Sequence, residues 1–419
     1  MTVKRITRRR MLGAIGAAGA MAALPACRKR EGDSGSSAGD SSGSGSSGGS
    51  AGGGSGKRIK IGLLIPQSGV YASLGVDMKR GWDLFLAGHG GKLGSYDVET
   101  VVADEGVSPQ TGVPAAQKLL QGERVDVLVG IVSSAVALGS QDLIKESKKL
   151  LLVSNAGAGA ITGAARTPYI WRTSFTNAQI SSVMGQHMAK AGVGGSVYLL
   201  APDYQAGAEV ISGFKGTFVA GGGQIAGEAK PALGKVQDYQ PFLAGIRQSG
   251  AKATFCFFSG SEAVAFVKQY AQFGLAADIP LYGSGFLTEG SVLDAQGDAA
   301  LGVQTTLHYS TEIDTPANRE FVAAHRAQYS ATPTCFTVQT WDAANVLHRA
   351  LGSASAIDGD SLAAALGSLG TIDDSPRGSW SFDGQSPKQN IYLRKVEKRD
   401  GRYVNAIVAD LGVFAQVAA

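Results

Sequence analysis

The run Asp126-Val127-Leu128-Val129-Gly130-Ile131-Val132-Ser133-Ser134-Ala135 decides the fold. It reads as a short buried strand, a tight turn at Gly130, and a hydroxyl pair opening a helix that carries Ala137, Leu138, Gln141 and Leu143 on to Lys148-Lys149. A serine at the N-cap satisfies backbone N–H groups that a helix start leaves free, and such groups together with the helix dipole favour an anion. A second apolar run, Leu150-Leu151-Leu152-Val153, follows directly and ends in the small-residue loop Ser154-Asn155-Ala156-Gly157-Ala158-Gly159-Ala160. In a parallel sheet, ligands bind outside the carboxyl ends of the strands. Two neighbouring strands ending in loops with exposed amides therefore read as half of a site for a small molecule carrying a carboxylate. Taken alone, the same residues also fit two ordinary turns and a capped helix.

Outward from this pair, strand and helix alternate. Residues 58–65 alternate a basic residue with isoleucine and then run apolar to Pro66, and 73–86 set Val76, Trp82, Leu84 and Phe85 on a helical face. Residues 96–103 read as a strand ending at Asp104-Glu105, and 109–121 as a helix with Pro109 near its start, a favoured place. After Tyr169-Ile170-Trp171-Arg172-Thr173-Ser174 the cycle restarts. It gives helix 177–190, strand 196–201 ending at Pro202-Asp203-Tyr204, helices 207–218 and 239–247, strand 253–258, helix 261–272, and strand 279–282 ending at Gly283-Ser284-Gly285-Phe286. Residues 302–308 read as a strand leading back, 316–329 and 337–351 as helices, and 379–382, 390–396 and 406–411 as late strands. Repeated βα units predict an α/β fold of two Rossmann-like lobes, each a parallel sheet with flanking helices. The segment order predicts a multi-strand hinge, with 57–175 and 307–376 in one lobe and 176–306 and 377–412 in the other. Closure about such a hinge onto a ligand is the expected motion.

The chain of 419 residues is 44% hydrophobic and 17% charged, enough for two cores. Its net charge of +4 comes without a basic stripe interleaved with aromatics, which argues against nucleic acid. Thr7-Arg8-Arg9-Arg10-Met11-Leu12 and the apolar run to Leu24 make residues 1–26 a signal peptide resembling a twin-arginine export signal. That run is too short to span a membrane. Leu24-Pro25-Ala26-Cys27 matches the lipobox of bacterial lipoproteins, which implies lipidation at Cys27. Residues 27–56, rich in Gly and Ser, then read as a flexible tether to the cell envelope. A dinucleotide-like pattern inside this tether follows no strand and opens no helix. Cys256 and Cys335 read as buried free thiols, with a disulfide between them as the alternative, and the five scattered histidines give no metal site. No cofactor is expected.

From Arg58 to about Leu411 the chain resembles the branched-chain amino-acid type of ABC-transporter substrate-binding proteins, with the type I periplasmic-binding fold. The matching pieces are Ile61-Gly62-Leu63-Leu64-Ile65-Pro66-Gln67-Ser68-Gly69, Asp104 to Pro109, Leu128-Val129-Gly130 with Ser133-Ser134, Val153-Ser154-Asn155-Ala156, Trp171-Arg172-Thr173 and Asp203-Tyr204. The resemblance implies that a ligand carboxylate is held at Ser134, with Ser133 beside it, and by the loop of Ala156, Gly157 and Ala158. It implies Tyr204 as an aromatic closing the cleft and Phe336 as an apolar wall, and Tyr71 lies within reach on the first βα loop. Arg172 is expected to bridge the lobes or pack at the hinge, with a contact to the carboxylate as the alternative. Amino-acid binders of this family place an acid on the second lobe to pair with the ligand's ammonium, and a buried ammonium needs one. Here that position reads Gly285, followed by Phe286, which implies an aromatic or aliphatic acid without an α-amine; Glu289, Glu262 or Asp203 could instead supply the charge. The implied partners are this small carboxylate, or an amino acid, and ABC permease subunits in the membrane, with the protein a monomer and no enzyme. The alternatives are amino-acid binding by the same fold, or a sensor serving a membrane signalling partner.

Overall fold

Runs of four apolar residues bounded by glycine or polar loops become the strands at the centre of two sheets. The computed structural model describes residues 57–193 and 195–417; the signal peptide, Cys27 and the tether lie outside the described residues. The first sheet holds β1 (Arg58–Ile65), β2 (Lys92–Leu93), β3 (Tyr96–Asp104), β4 (Val127–Gly130), β5 (Leu150–Val153) and β6 (Ile170–Arg172), in the order β2-β3-β1-β4-β5-β6. All pairings from β3 to β6 are parallel, and only the edge strand β2 runs antiparallel. Every residue of β4 and β5 is buried, as strands covered on both faces require.

The second sheet holds β7 (Ser196–Leu200), β8 (Gln224–Ala229), β9 (Ala253–Cys256), β10 (Leu281–Ser284), β11 (Gln304–Leu307), β12 (Thr371–Ile372), β13 (Trp380–Asp383), β14 (Ser386–Arg399) and β15 (Arg402–Phe414). Its order is β12-β13-β14-β11-β10-β9-β7-β8, with β15 on β14. The part from β8 to β11 is parallel, while β12 to β15 add antiparallel edges. Both sheets are thus mixed rather than wholly parallel. β14 and β15 form a long ribbon turning at Asp400 and Gly401, whose φ values of 48° and 77° suit a two-residue hairpin. The late strands expected at 390–396 and 406–411 are its middle; the flanking residues, Ser386-Pro387-Lys388-Gln389 among them, carry no apolar run.

Two further differences have local causes. The helix expected through to Lys149 divides into Ser134–Gly139 and Gln141–Ser147, broken at a glycine–serine pair. β8 escapes a periodicity reading because Gly227 interrupts it and none of its residues is fully buried. Among the described residues, no helix is long and apolar enough to cross a membrane, and Cys256 and Cys335 are free and buried.

The chain passes between the lobes at residues 173–176, at 308–315, and along β14, because Ile372 of β12 and Trp380 of β13 pack in the first sheet's core. After the second passage, helix Cys335–Ser353 packs back on helix Ala72–Gly88 so closely that a Cβ on Gly81 would lie 2.0 Å from the Thr337 carbonyl oxygen. The passages are stitched together by Arg377, which donates to Thr173 O at 2.5 Å, Ser174 O at 3.3 Å and Gln389 Oε1 at 2.6 Å, and pairs with Asp342 at 2.7 Å.

Candidate functional site

Where β4 ends, the backbone turns sharply. Gly130 has φ 133°, and a Cβ there would lie 2.1 Å from the Leu64 carbonyl oxygen. Ile131 follows at φ 67°, a strained conformation for a β-branched residue. This turn aims the N–H groups of Val132 and Ser133 at a carboxylate of the chain itself. Glu105, fully buried just past β3, accepts from Val132 N at 2.8 Å and from Ser133 N at 2.6 Å. Burial pushes the Glu105 pKa up to about 8 against the pull of these two bonds. The Ser133 hydroxyl accepts from Val136 N at 3.4 Å as the helix cap. Ser133 is therefore occupied structurally and, unlike the expectation for it, does not line the cleft.

The loop after β5 is similarly divided in its tasks. Ala156 N donates to Ile131 O at 2.8 Å, and Ala158 N to the Ser134 hydroxyl at 3.1 Å. Both amides are used to shape the loop, so Ala156 and Ala158 also stand outside the cleft lining. Gly157, between them, lines the cleft, and its N–H donates to no group among the described residues. A Cβ on Gly157 would lie 2.3 Å from Asn177 Oδ1 and 2.6 Å from the Phe175 ring. Ser134 lines the cleft too, and its hydroxyl, which accepts from Ala158, keeps its own proton to give.

The loop is held from behind by Arg172, at the end of β6. It is fully buried and donates to Ala156 O at 2.5 Å, Ala158 O at 2.6 Å, Phe175 O at 3.0 Å and Thr162 Oγ1 at 3.0 Å. Arg172 thus braces the back of the loop after β5 and is not part of the cleft lining.

The cleft lies between the carboxyl ends of the two sheets. The first sheet's loops contribute Tyr71, Ser134, Asn155 and Gly157, and the second's contribute Tyr204, Phe257, Ser259 and Phe286; Phe175, Asn177 and Phe336 come from segments beside the passages. Six of these are aromatic. Phe286 sits among Phe175, Phe336 and Phe257 with ring centroids 4.7, 5.8 and 6.2 Å away, and Tyr204 stacks on Phe257 at 6.2 Å. The Tyr71 and Tyr204 hydroxyls meet across the cleft at 3.3 Å, and burial raises both phenol pKa values. None of the residues lining the cleft carries a charge.

Of the residues expected from the sequence, the structure gathers Ser134, Gly157, Tyr71, Tyr204, Phe286 and Phe336 around this cleft. Gly285 faces elsewhere: a Cβ there would lie 2.5 Å from Leu307 Cβ, within the second sheet's core, so an acid at 285 would not point at a guest. The other candidate acids also stand outside the cleft lining. Glu289 pairs with Arg394 at 2.9 Å and accepts from Cys335 N at 2.8 Å, Glu262 accepts from Gly234 N at 2.8 Å, and Asp203 is exposed. Asn155, Phe175, Asn177, Phe257 and Ser259 escaped the sequence reading. Phe257 had a usable signal, since it follows β9 directly, close to the strand end as Tyr204 and Phe286 are. Phe175 and Asn177 had none, because their place depends on how the first passage between sheets bends.

The lobes stand closed. About 30 Å³ of the cleft remains open to the centre of a water-sized sphere, room for about two waters. Glu209, beyond β7, accepts from Gly159 N at 3.1 Å across the cleft. Gly260, beyond β9, meets the turn beyond β1: its φ is 58°, and a Cβ there would lie 2.1 Å from the Val70 carbonyl oxygen. A ring-bearing guest enters only when the lobes part.

A family model described as periplasmic binding protein matches residues 58–402. The Leu/Ile/Val-binding protein homolog 6 of Brucella melitensis biotype 1 is 34% identical over 355 residues, which cover 83% of this chain and 90% of that protein. A solute binding protein of an ABC transporter from Rhodopseudomonas palustris BisB5, solved in complex with 3,4-dihydroxy benzoic acid, is 35% identical with a TM-score of 0.80, over 86% of this chain and 98% of the other. Another from Rhodopseudomonas palustris, solved in complex with benzoate, is 36% identical with a TM-score of 0.78, over the same shares of 86% and 98%. A two-lobed α/β body with a cleft at its strand ends, matched along most of its length, places this chain in the type I periplasmic binding protein family, as a solute-binding protein of an ABC transporter.

Proposed function

We propose that this protein captures a small aromatic carboxylate and delivers it to an ABC permease. The observation that carries the reading is the cleft lining: six aromatic rings, no charged side chain, and the Gly157 N–H and Ser134 hydroxyl as donors at one side. Rings stack on a flat guest, while the donors suit its carboxylate. An α-ammonium buried in the same place would lack an anionic partner, at a cost of several kcal/mol. The aromatic acids bound by the two Rhodopseudomonas palustris proteins agree with this choice. The Leu/Ile/Val names of the curated relatives favour the second reading, a branched-chain amino acid.

A calorimetric and thermal-shift panel separates the two. Benzoate and hydroxybenzoates are expected to bind in the micromolar range and raise the melting temperature, because a ligand of the folded state alone stabilises it. Leucine and valine are expected to be silent; micromolar leucine binding with silent aromatic acids refutes the proposal. Within this panel, Ser134→Ala is expected to weaken benzoate binding by about 1–3 kcal/mol, the usual loss when a charged group is short of one hydrogen bond. An unchanged dissociation constant removes Ser134 from the site.

The same reading takes residues 1–26 as an export signal and Cys27 as the lipid-bearing N-terminus that keeps the protein at the cell envelope as a monomer. Cys27→Ala is then expected to move the protein from the membrane fraction to the soluble extracytoplasmic fraction. Retention of the variant in the membrane fraction overturns the anchor.

A further inference from the structure

We infer that Arg172, without touching the guest, sets the cleft's preference for a negatively charged head group over a neutral one, acting through the single peptide group between Ala156 and Gly157. The inference rests on the aromatic-carboxylate reading above.

Among the described residues, three arginines are almost wholly buried, Arg172, Arg377 and Arg394. Two follow the usual pattern, in which a buried charge is paired: Arg377 pairs with Asp342 at 2.7 Å, and Arg394 with Glu289 at 2.9 Å. Arg172 does not. Its four hydrogen bonds go to three carbonyl oxygens and one hydroxyl, all neutral. These acceptors take the four N–H groups of its two terminal nitrogens, leave Nε–H without a partner among the described residues, and leave its charge uncompensated. Burial pulls its pKa down to about 9, so it is a full cation at neutral pH, and the charge that most opposes this shift is Glu209.

The geometry delivers that charge to the cleft. In a trans peptide the C=O and N–H point in opposite directions. With Ala156 O on the guanidinium at 2.5 Å, the N–H of Gly157 points away from it, on the face where Gly157 lines the cavity. The cation polarises the peptide, and hydrogen bonds in series strengthen one another in a low-dielectric interior. The next peptide but one displays the same device already occupied. Ala158 O lies 2.6 Å from Arg172, and at the other end of that peptide Gly159 N donates to the Glu209 carboxylate at 3.1 Å. A resident carboxylate thus occupies one of two peptides polarised by the same guanidinium, and the N–H of the other belongs to Gly157, a residue of the cleft lining, and has no partner among the described residues.

The readout is the ratio of affinities for benzoate and benzamide, which share a ring and differ in charge. It cancels any general effect on folding or lobe closure. The wild-type protein is expected to prefer benzoate by at least 30-fold, and Arg172→Gln to bring the ratio within about threefold of unity. Arg172→Lys, which keeps the charge, is expected to restore most of the ratio. Glu209→Gln removes the competing negative charge at the cleft rim and is expected to raise the ratio severalfold; it tests the idea even if Arg172→Gln does not fold. A wild-type ratio near one, a ratio unmoved in Arg172→Gln, or one unmoved in Glu209→Gln overturns the inference. Failure of the wild-type protein to bind any aromatic acid fells the underlying reading instead.

Discussion

Gly260→Ala is expected to give a folded protein that binds its aromatic acid at least 100-fold more weakly. Two effects act at this position, and they can be separated. The first is local: Gly260 has φ 58°, where an alanine costs about 1 kcal/mol whether the lobes are open or closed. The second exists only in the closed state, where the new Cβ would lie 2.1 Å from Val70 O on the facing lobe. Backbone oxygen cannot swing aside as a side chain can, so the alanine holds the lobes apart. A protein whose binding-competent state is depopulated loses apparent affinity in the same proportion, and 100-fold needs only about 2.7 kcal/mol against closure. Gly250 supplies the control, with φ 69° and nothing within 4 Å of the place a Cβ would take. Gly250→Ala should show the local strain as a lowered melting temperature and bind normally. Calorimetry on both variants decides the matter: binding by Gly260→Ala within threefold of wild type would mean that the Val70 contact plays no part in the ligand-bound form.

The parts of the site that sequence made legible are those fixed by topology. Tyr204 and Phe286 lie just past strand ends, Ser134 opens the helix after β4, and Gly157 lies in the loop after β5; in a parallel sheet such positions share one edge. Ser133, Ala156 and Ala158 are immediate neighbours of residues that line the cleft and still fall outside the lining. What separates Ser133 from Ser134 is the φ of 67° at Ile131 and the arrival of Glu105 from a different βα unit. What separates Gly157 from Ala156 and Ala158 is that Ile131 O and the Ser134 hydroxyl claim the flanking amides. These are pairings between segments distant in sequence, and no window of local sequence contains both partners. Gly285 differs in kind. A Cβ at 285 would face Leu307, and the candidate acids Glu289 and Glu262 are held by Arg394 and by Gly234 N, outside the cleft lining.

Arg377→Met is expected to destabilise the fold by about 3–5 kcal/mol near pH 8, the usual result of stranding a buried charge. The stranded partner is Asp342, fully buried, whose Oδ1 finds no hydrogen-bond partner among the described residues and whose Oδ2 takes Arg377 at 2.7 Å and the Ser375 hydroxyl at 3.0 Å. Even with Arg377 beside it, burial raises the Asp342 pKa to about 6. A carboxyl whose folded pKa lies above its usual 3.8 binds its proton more tightly in the folded state. Its contribution to stability is therefore full below about pH 4 and is lost as pH rises through about 6. Removing Arg377 raises that pKa further, so the loss continues to higher pH. The variant's deficit should accordingly be larger at pH 8 than at pH 5, as measured by urea unfolding at both values. An equal deficit at the two pH values would show that the lost bonds to Thr173, Ser174 and Gln389, rather than the stranded carboxylate, carry the effect. Adding Asp342→Asn removes the stranded charge and should recover much of the stability while leaving those hinge bonds broken. Any weakening of ligand binding that survives in the double variant then belongs to the hinge itself, because the passages between the sheets have lost the cation that ties them together.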